Sequence, residues 1–202
     1  GKTSKENKNF DVLLFCDRSV EKVTIPSFIK HIQSHAFKGC KLLQNVEFDS
    51  DSQLETIGEY AFSETSIERF TIPSNLEHIS DFCFLKCNKL LTVDSSENSK
   101  LQTIGSYAFS QLNIKYLKLP STLTNIGEFA FNLISIESLT IPSKVININN
   151  HCFEKCKKLR KVNILMNSQL QFLGEYAFRS SLIESITIPS KVINISNHCF
   201  DE

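Results

Sequence analysis

The sequence predicts an α/β repeat solenoid: a parallel β-sheet on one face, with short helical or 3₁₀ turns on the other. Three observations carry that prediction. A phenylalanine recurs at Phe15, Phe37, Phe62, Phe84, Phe109, Phe131, Phe153, Phe178 and Phe200, with gaps of 22, 25, 22, 25, 22, 22, 25 and 22 residues. Apolar residues spaced two apart follow each of the first eight at a nearly fixed distance. A proline or a polar stretch then ends each apolar pair. Self-similarity of this kind marks stacked repeats, each of which buries its apolar side only against its neighbours.

The strand is the first element of the repeat. Val23, Val46, Phe70, Val93, Leu117, Leu139, Val162 and Ile186 each begin an apolar pair, completed two positions later by Ile25, Phe48, Ile72, Ser95, Leu119, Ile141, Ile164 and Ile188. Apolar residues at period two, rich in Val and Ile, describe a short strand with one buried face. Eight strands are counted this way. Ser95 is the one polar member, which predicts the weakest anchoring at the strand of Val93.

Two kinds of exit follow the strand. Five repeats turn at a Pro-Ser pair headed by Pro26, Pro73, Pro120, Pro142 and Pro189. Proline ends a strand because it has a fixed φ and no N–H. The other three take a polar excursion two residues longer, such as Asp49-Ser50-Asp51-Ser52-Gln53, and add one residue after the phenylalanine, which together account for 25 against 22. Paired apolar positions come next (Leu54 and Ile57, Leu76 and Ile79, Leu123 and Ile126, Val145 and Ile148). Gly58, Gly105, Gly127 and Gly174 then suit a tight turn with φ > 0. An aromatic-x-Phe element such as Tyr60-Ala61-Phe62 closes the repeat as a single helical or 3₁₀ turn. Residues 10–202 thus form one solenoid. Residues 1–9, polar and lysine-rich, are a disordered lead-in or an expression remnant. Opening and closing inside a repeat predicts a segment of a longer protein.

Composition narrows the function. The 202 residues carry 22 basic and 22 acidic side chains, and zero net charge argues against a nucleic-acid or anionic-membrane partner, either of which requires a basic face. No apolar run approaches the ~18 residues of a membrane-spanning helix.

Seven cysteines and five histidines invite a metal site or a thiol nucleophile. The columns argue otherwise. His35, His151 and His198 share a position with Tyr60, Phe82, Tyr107, Phe129 and Tyr176, an aromatic packing slot that accepts imidazole. Cys83, Cys152 and Cys199 replace the small alanine before the phenylalanine, as small buried hydrophobes. His151-Cys152 and His198-Cys199 lie two repeats apart, roughly 10 Å at ~4.8 Å per strand, whereas zinc ligands lie within ~2.3 Å of one point. Cys40, Cys87 and Cys156 are also two or more repeats apart, beyond the ~7 Å Cα limit for a disulfide. Free thiols are therefore expected, with no cofactor, no metal and no catalytic residue. Asn194-Ile195-Ser196 is the one glycosylation sequon, with Asn194 outward and Ile195 inward.

Side chains alternate along a strand, so the residues flanking its first apolar position face outward. Tyr116 is the only aromatic in these outward columns. Aromatic and arginine side chains dominate interface hot spots, which centres a candidate ligand-binding surface on Arg69, Tyr116 and Lys118, with Lys115, Glu47 and Lys161 around them. The plainer alternative is a solvated polar sheet face. A second candidate is the pair of polar loops, Asp49–Gln53 and Ser95–Lys100. Ile146 and Ile193, exposed at equivalent positions, offer an apolar patch for self-association, and the uncapped end at Phe200 offers end-to-end association.

Stretches such as Ile67-Glu68-Arg69-Phe70-Thr71-Ile72-Pro73-Ser74 and Ile57-Gly58-Glu59-Tyr60-Ala61-Phe62 resemble the BspA-like leucine-rich repeat family over essentially all of residues 10–200. The alternation of Ile-Pro-Ser and Ser-Gln-Leu repeats is similar to the surface antigens of parasitic protists such as trichomonads. The resemblance implies a leucine-rich-repeat solenoid whose parallel sheet lines a concave face. It also implies a non-enzymatic surface or secreted protein that adheres to protein or glycoprotein ligands of host cells or extracellular matrix. An intracellular interaction scaffold and a structural spacer are the alternatives.

Overall fold

The computed structural model describes residues 11–202, a stack of coils joined by parallel β-ladders. In chain order the strands of the first half are β1 (Val12–Leu13), β2 (Lys22–Ile25), β3 (His31–Ile32), β4 (Asn45–Phe48), β5 (Thr56–Ile57), β6 (Arg69–Ile72), β7 (His78–Ile79) and β8 (Thr92–Ser95). Those of the second half are β9 (Thr103–Ile104), β10 (Tyr116–Leu117), β11 (Asn125–Ile126), β12 (Ser138–Ile141), β13 (Asn147–Ile148), β14 (Lys161–Ile164), β15 (Phe172–Leu173) and β16 (Asn194–Ile195). The lead-in assigned to residues 1–9 lies outside the described residues.

The strands read from the apolar pairs form the broad face. Seven appear as β2, β4, β6, β8, β10, β12 and β14, and the eighth is a single bridge from Lys161 to Ser185. Their buried and exposed residues alternate, as in Arg69–Ile72 and Lys161–Ile164. A second ladder, unforeseen from the sequence, runs down the flank. It joins β1-β3-β5-β7-β9-β11 and, after a break, β13-β15-β16. Each of its strands has two residues and one buried side chain except in β16, too short for a period-two pattern to show.

The broad sheet is interrupted in a regular way. In a parallel ladder each strand sends amides to both neighbours. The residue after the second apolar position can donate to the carbonyl of that position in the preceding coil, as Asp49 does to Ile25 at 3.4 Å. Pro73, Pro120, Pro142 and Pro189 occupy this place above Phe48, Ser95, Leu119 and Ile164, and proline has no N–H to give. Full four-residue pairing accordingly joins β2 to β4, β6 to β8 and β12 to β14. Where a proline coil is laid on top, β8 and β10 pair over two residues and β14 keeps only the bridge to Ser185. No ladder among the described residues joins β4 to β6 or β10 to β12. The weak points therefore fall at the prolines. The strand of Val93, expected to be weakest, is four residues long and paired on both sides, although Ser95 Oγ is buried there without a hydrogen-bond partner.

Among the described residues the far side has no helix, which corrects the expected helical or 3₁₀ turns. A helix needs successive amides to bond within the segment, and here they alternate between the turn and the next coil. Phe37 N–H donates to Ala61 O (2.8 Å), Phe62 to Cys83 O (3.0 Å), Phe109 to Ala130 O (2.9 Å) and Phe178 to Cys199 O (2.8 Å). The intervening amides close turns, as Ala36 does to Gln33 O at 3.1 Å. Two left-handed residues per coil make this geometry. One is the aromatic slot itself, from His35 (φ 64°) and Tyr60 (φ 54°) to His198 (φ 59°); the other lies four residues on, as at Glu64 (φ 61°). Left-handed backbone costs a non-glycine residue roughly 1–2 kcal/mol. Each slot ring recovers about 0.5–1.5 kcal/mol per stacked neighbour beyond its area burial, besides the inter-coil bond.

Two continuous ring ladders result. The outer one runs His35-Tyr60-Phe82-Tyr107-Phe129-His151-Tyr176-His198 with centroids 4.2–5.2 Å apart. The inner one runs from Phe37 to Phe200 at 4.9–5.6 Å. The first coil departs from the ruler. Cys16, one place past the ruler position, makes an inter-coil bond to Ala36 O at 2.9 Å, and Phe15 is 49% exposed.

The glycines also serve a purpose other than the expected one. Gly39, at φ 73°, is the only described glycine with positive φ. At Gly58 a Cβ would meet Ser34 N at 2.5 Å, and at Gly174 it would meet Asn149 C at 2.6 Å. These positions need glycine because the previous coil's backbone lies against them. Asn149 fills the same place in the coil of β13, where its Nδ2 reaches Ile126 O at 2.6 Å. This side-chain bond spans the break between β11 and β13.

Candidate protein-binding face

Six side chains were candidates, and the structure distributes them over three sheets. Arg69, Thr92 and Tyr116 stand in one register row across β6, β8 and β10. Lys118 follows one step along, its N–H donating to Val93 O at 3.0 Å, which sets it beside Asp94. Lys115 enters the same strand, its amide held by Leu91 O at 2.9 Å. Arg69, Lys115, Tyr116 and Lys118 are thus brought together, with Tyr116 51% exposed. Glu47 lies across the β4/β6 interruption and is ion-paired to Lys22 at 2.8 Å. Lys161 lies on the last sheet, in register with Ser138 and bridged to Ser185.

The loops proposed as a second site hold the coils together. Asp49 Oδ2 accepts Ser27 N–H at 3.0 Å. Ser52, Ser99 and Ser168 are buried and accept the amides of Leu54, Leu101 and Leu170 at 3.4, 3.3 and 3.1 Å. The Ser-x-Leu triplet of the longer repeats is therefore a turn device.

Two surface features escaped the sequence reading. A cleft of about 360 Å³ opens at the β4/β6 interruption, floored by Phe48, Ile72 and Pro73 and rimmed by Ser50, Ser74 and Ser96. Its signal was Pro73, whose missing amide leaves the strands unjoined. Between the strands and the far side, Met166 is 92% exposed at the tip of the third excursion. Ile146 and Ile193 are exposed as expected, and Phe172, also exposed, lies on the strand between theirs. Asn194 is exposed, and Ile195, expected inward, is 45% exposed.

His35, His151 and His198 occupy the ring ladder, as the slot reading requires, whereas His31 and His78 lie on the flank strands β3 and β7. His151 stacks on Phe129 and Tyr176, and its Nδ1 lies 2.8 Å from Glu154 Oε2. Burial pushes the Glu154 carboxyl up, but hydrogen bonds from His151 and Lys155 outweigh it and hold the pKa below the ordinary value. Among the described residues no three His, Cys, Asp or Glu side chains converge as a metal site, and no helix is long and apolar enough to cross a membrane. All seven cysteines are free. Burial raises their thiol pKa values, to about 11 at Cys87 and Cys199, to about 12 at Cys156, and well above the ordinary value at Cys83 and Cys152.

A stack of parallel-stranded coils with an open polar sheet is the architecture of a leucine-rich-repeat protein, a class whose repeats generally mediate protein–protein interaction. Residues 8–100 and 96–202 match the BspA type leucine rich repeat region, in six copies. The chain belongs to that family, which is typically non-catalytic. Among solved structures it is similar to the pneumococcal vaccine antigen PcpA, at 27% identity and a TM-score of 0.60 over 85% of this chain, and it spans about half (51%) of the antigen's length. It is also similar to the T. pallidum leucine rich repeat protein TpLRR, at 24% identity and a TM-score of 0.71, covering 86% of this chain and 85% of that one. No curated protein sequence matches it.

Proposed function

We propose that this chain is a non-catalytic adhesion segment of a surface-exposed or secreted protein, which binds protein or glycoprotein ligands of host cells or extracellular matrix through its broad face. One observation supports the reading: Arg69 and Tyr116 share one register row of a single sheet, with the exposed Lys115 and Lys118 adjoining Tyr116 in the chain. A surface set by a packed stack pays little ordering entropy on binding. The likeness to a vaccine antigen supports surface exposure. Lys161 extends the basic side, and Glu47 contributes at the opposite end.

The test compares binding of the purified protein and its Arg69→Glu/Tyr116→Ala/Lys118→Glu variant to epithelial cells and immobilised matrix proteins. Saturable binding, weakened at least about tenfold in the variant as hot-spot loss requires, is the expected result. Binding that survives intact moves the site off this face. The seven free thiols favour one alternative, an intracellular scaffold, because surface proteins usually carry disulfides. A full-length coding sequence with neither leader nor anchor would decide for it.

A further inference from the structure

The flank ladder changes character along its length. From β3 to β11 the less buried place of each strand holds His31, Thr56, His78, Thr103 or Asn125, all polar. Beyond the break, β15 puts Phe172 in that place, exposed, with Leu173 buried behind it. Ile146 and Ile193, each just before an adjacent strand, are exposed too, Ile193 to 72%. Apolar surface gathered on an otherwise polar flank marks a place that is covered in use.

Asn194 stands within this patch. It is exposed, it is the register partner of Phe172, and Ile193 and Ile195 flank it in the chain. It also opens Asn194-Ile195-Ser196, the acceptor signal for an N-linked sugar. Asn75, Asn132 and Asn149 spend their side-chain amides on backbone carbonyls of neighbouring coils. Among the described residues the Asn194 amide is held in no such bond, so its Nδ2 is open to substitution.

We propose that Asn194 carries an N-linked glycan whose first sugar lies over the Phe172 ring and covers the patch. Neighbouring strands are ~4.8 Å apart, so a sugar on Nδ2 is within reach of its register partner's side chain. The C–H face of a pyranose ring meets the electron-rich face of the aromatic, and its hydroxyls stay in water. In the transfer, Asn194 Nδ2 bonds to C1 of an oligosaccharide carried on a polyprenyl diphosphate. The C1–O bond to the diphosphate breaks, Nδ2 gives up a proton, and the polyprenyl diphosphate leaves. The site rests on the reading of a secreted or surface-exposed chain, because the donor is met on that route.

The test is secretion of the chain behind a leader from cultured eukaryotic cells, read by mass spectrometry and thermal unfolding. A glycan at residue 194 is expected, lost in Asn194→Gln and Ser196→Ala and kept in Ser196→Thr. Wild type should unfold about 2–4 °C above Asn194→Gln, the scale of a single added contact in a chain of this length. Ser196→Ala, which removes the sugar and keeps Asn194, repeats the comparison. Phe172→Ala should erase the difference, because the sugar then has no ring to cover. A secreted wild-type chain unmodified at residue 194 overturns the site, and a gain that survives Phe172→Ala overturns the contact. Neither failure bears on the compartment, whereas a full-length coding sequence without a leader removes the compartment and leaves the acceptor result standing.

Discussion

At the scale of single residues, Glu154 combines burial with partners from neighbouring coils. Its carboxylate is met by His151, by Lys155 at 3.0 Å and by Arg179 at 3.9 Å, while Asn132 from the preceding coil donates to its backbone carbonyl at 3.1 Å. Because its folded-state pKa lies below the unfolded value, the stability it contributes is present above the ordinary carboxylate range. It is lost as the pH falls through the folded pKa. Glu154→Gln should therefore lower stability at pH 7, by about 1.5–3 kcal/mol for hydrogen bonds to a charged group, and flatten the acid limb of a denaturation profile. An unchanged acid limb would remove Glu154 from that role. The thiols give a second prediction. Unfolded, unreduced protein should titrate seven, whereas native protein should expose chiefly Cys16 to a thiol reagent near neutral pH, the other six being buried with raised pKa values. Much at this scale was legible, because residues that exchange for one another in a column reveal the slot they fill: imidazole standing where Tyr and Phe stand elsewhere meant stacking. The left-handed backbone of that slot was not legible. Tyr, Phe and His carry no conformational signal for positive φ, and Gly39 marks only the second left-handed column, four residues after the slot.

At the scale of elements, the prolines act on two coils at once. Each ends its own strand and withholds an amide from the carbonyl of the coil before it. The period-two pattern made the first effect readable; the second depends on which coil lies beneath, a tertiary relation. The two-residue flank strands were hidden for a different reason, being too short to alternate. Pro73→Ala tests the account. The substitution restores a donor above Phe48, so the new amide should exchange slowly with solvent and β4 should join β6. The bond is worth about 0.5–1.5 kcal/mol and offsets the roughly 0.4–1 kcal/mol lost by relaxing the unfolded chain, leaving overall stability nearly unchanged. Rapid exchange at residue 73 would point instead to the bulk of Phe48 and Phe70, whose rings meet edge to face at 5.9 Å.

At the scale of the whole molecule, stability is a sum of coils and their nearest-neighbour interfaces. The interface between the coils of β11 and β13 is distinctive: the broad ladder is absent there, and Asn149 Nδ2 carries the flank contact in place of a continuous ladder. Asn149→Ala should lower stability by about 0.5–1.5 kcal/mol and uncouple the two halves. A chemical denaturation curve that is single and steep in wild type should broaden or split. A parallel shift with unchanged steepness would mean that the rest of the interface couples the halves without it.

That same interface sets how the stack responds to force. The far side remains fastened across it, with Phe129, Phe131 and Leu133 bonded to the next coil at 3.2, 3.0 and 2.9 Å. On the opposite side, no ladder resists separation of β10 and β12. A load that pries the broad face apart should therefore be taken up as rotation about the aromatic seam, like a book opening on its spine. Compression of that face meets packed side chains and should be resisted. The stack should therefore yield first at its middle joint, and more readily when the broad face is opened than when it is closed.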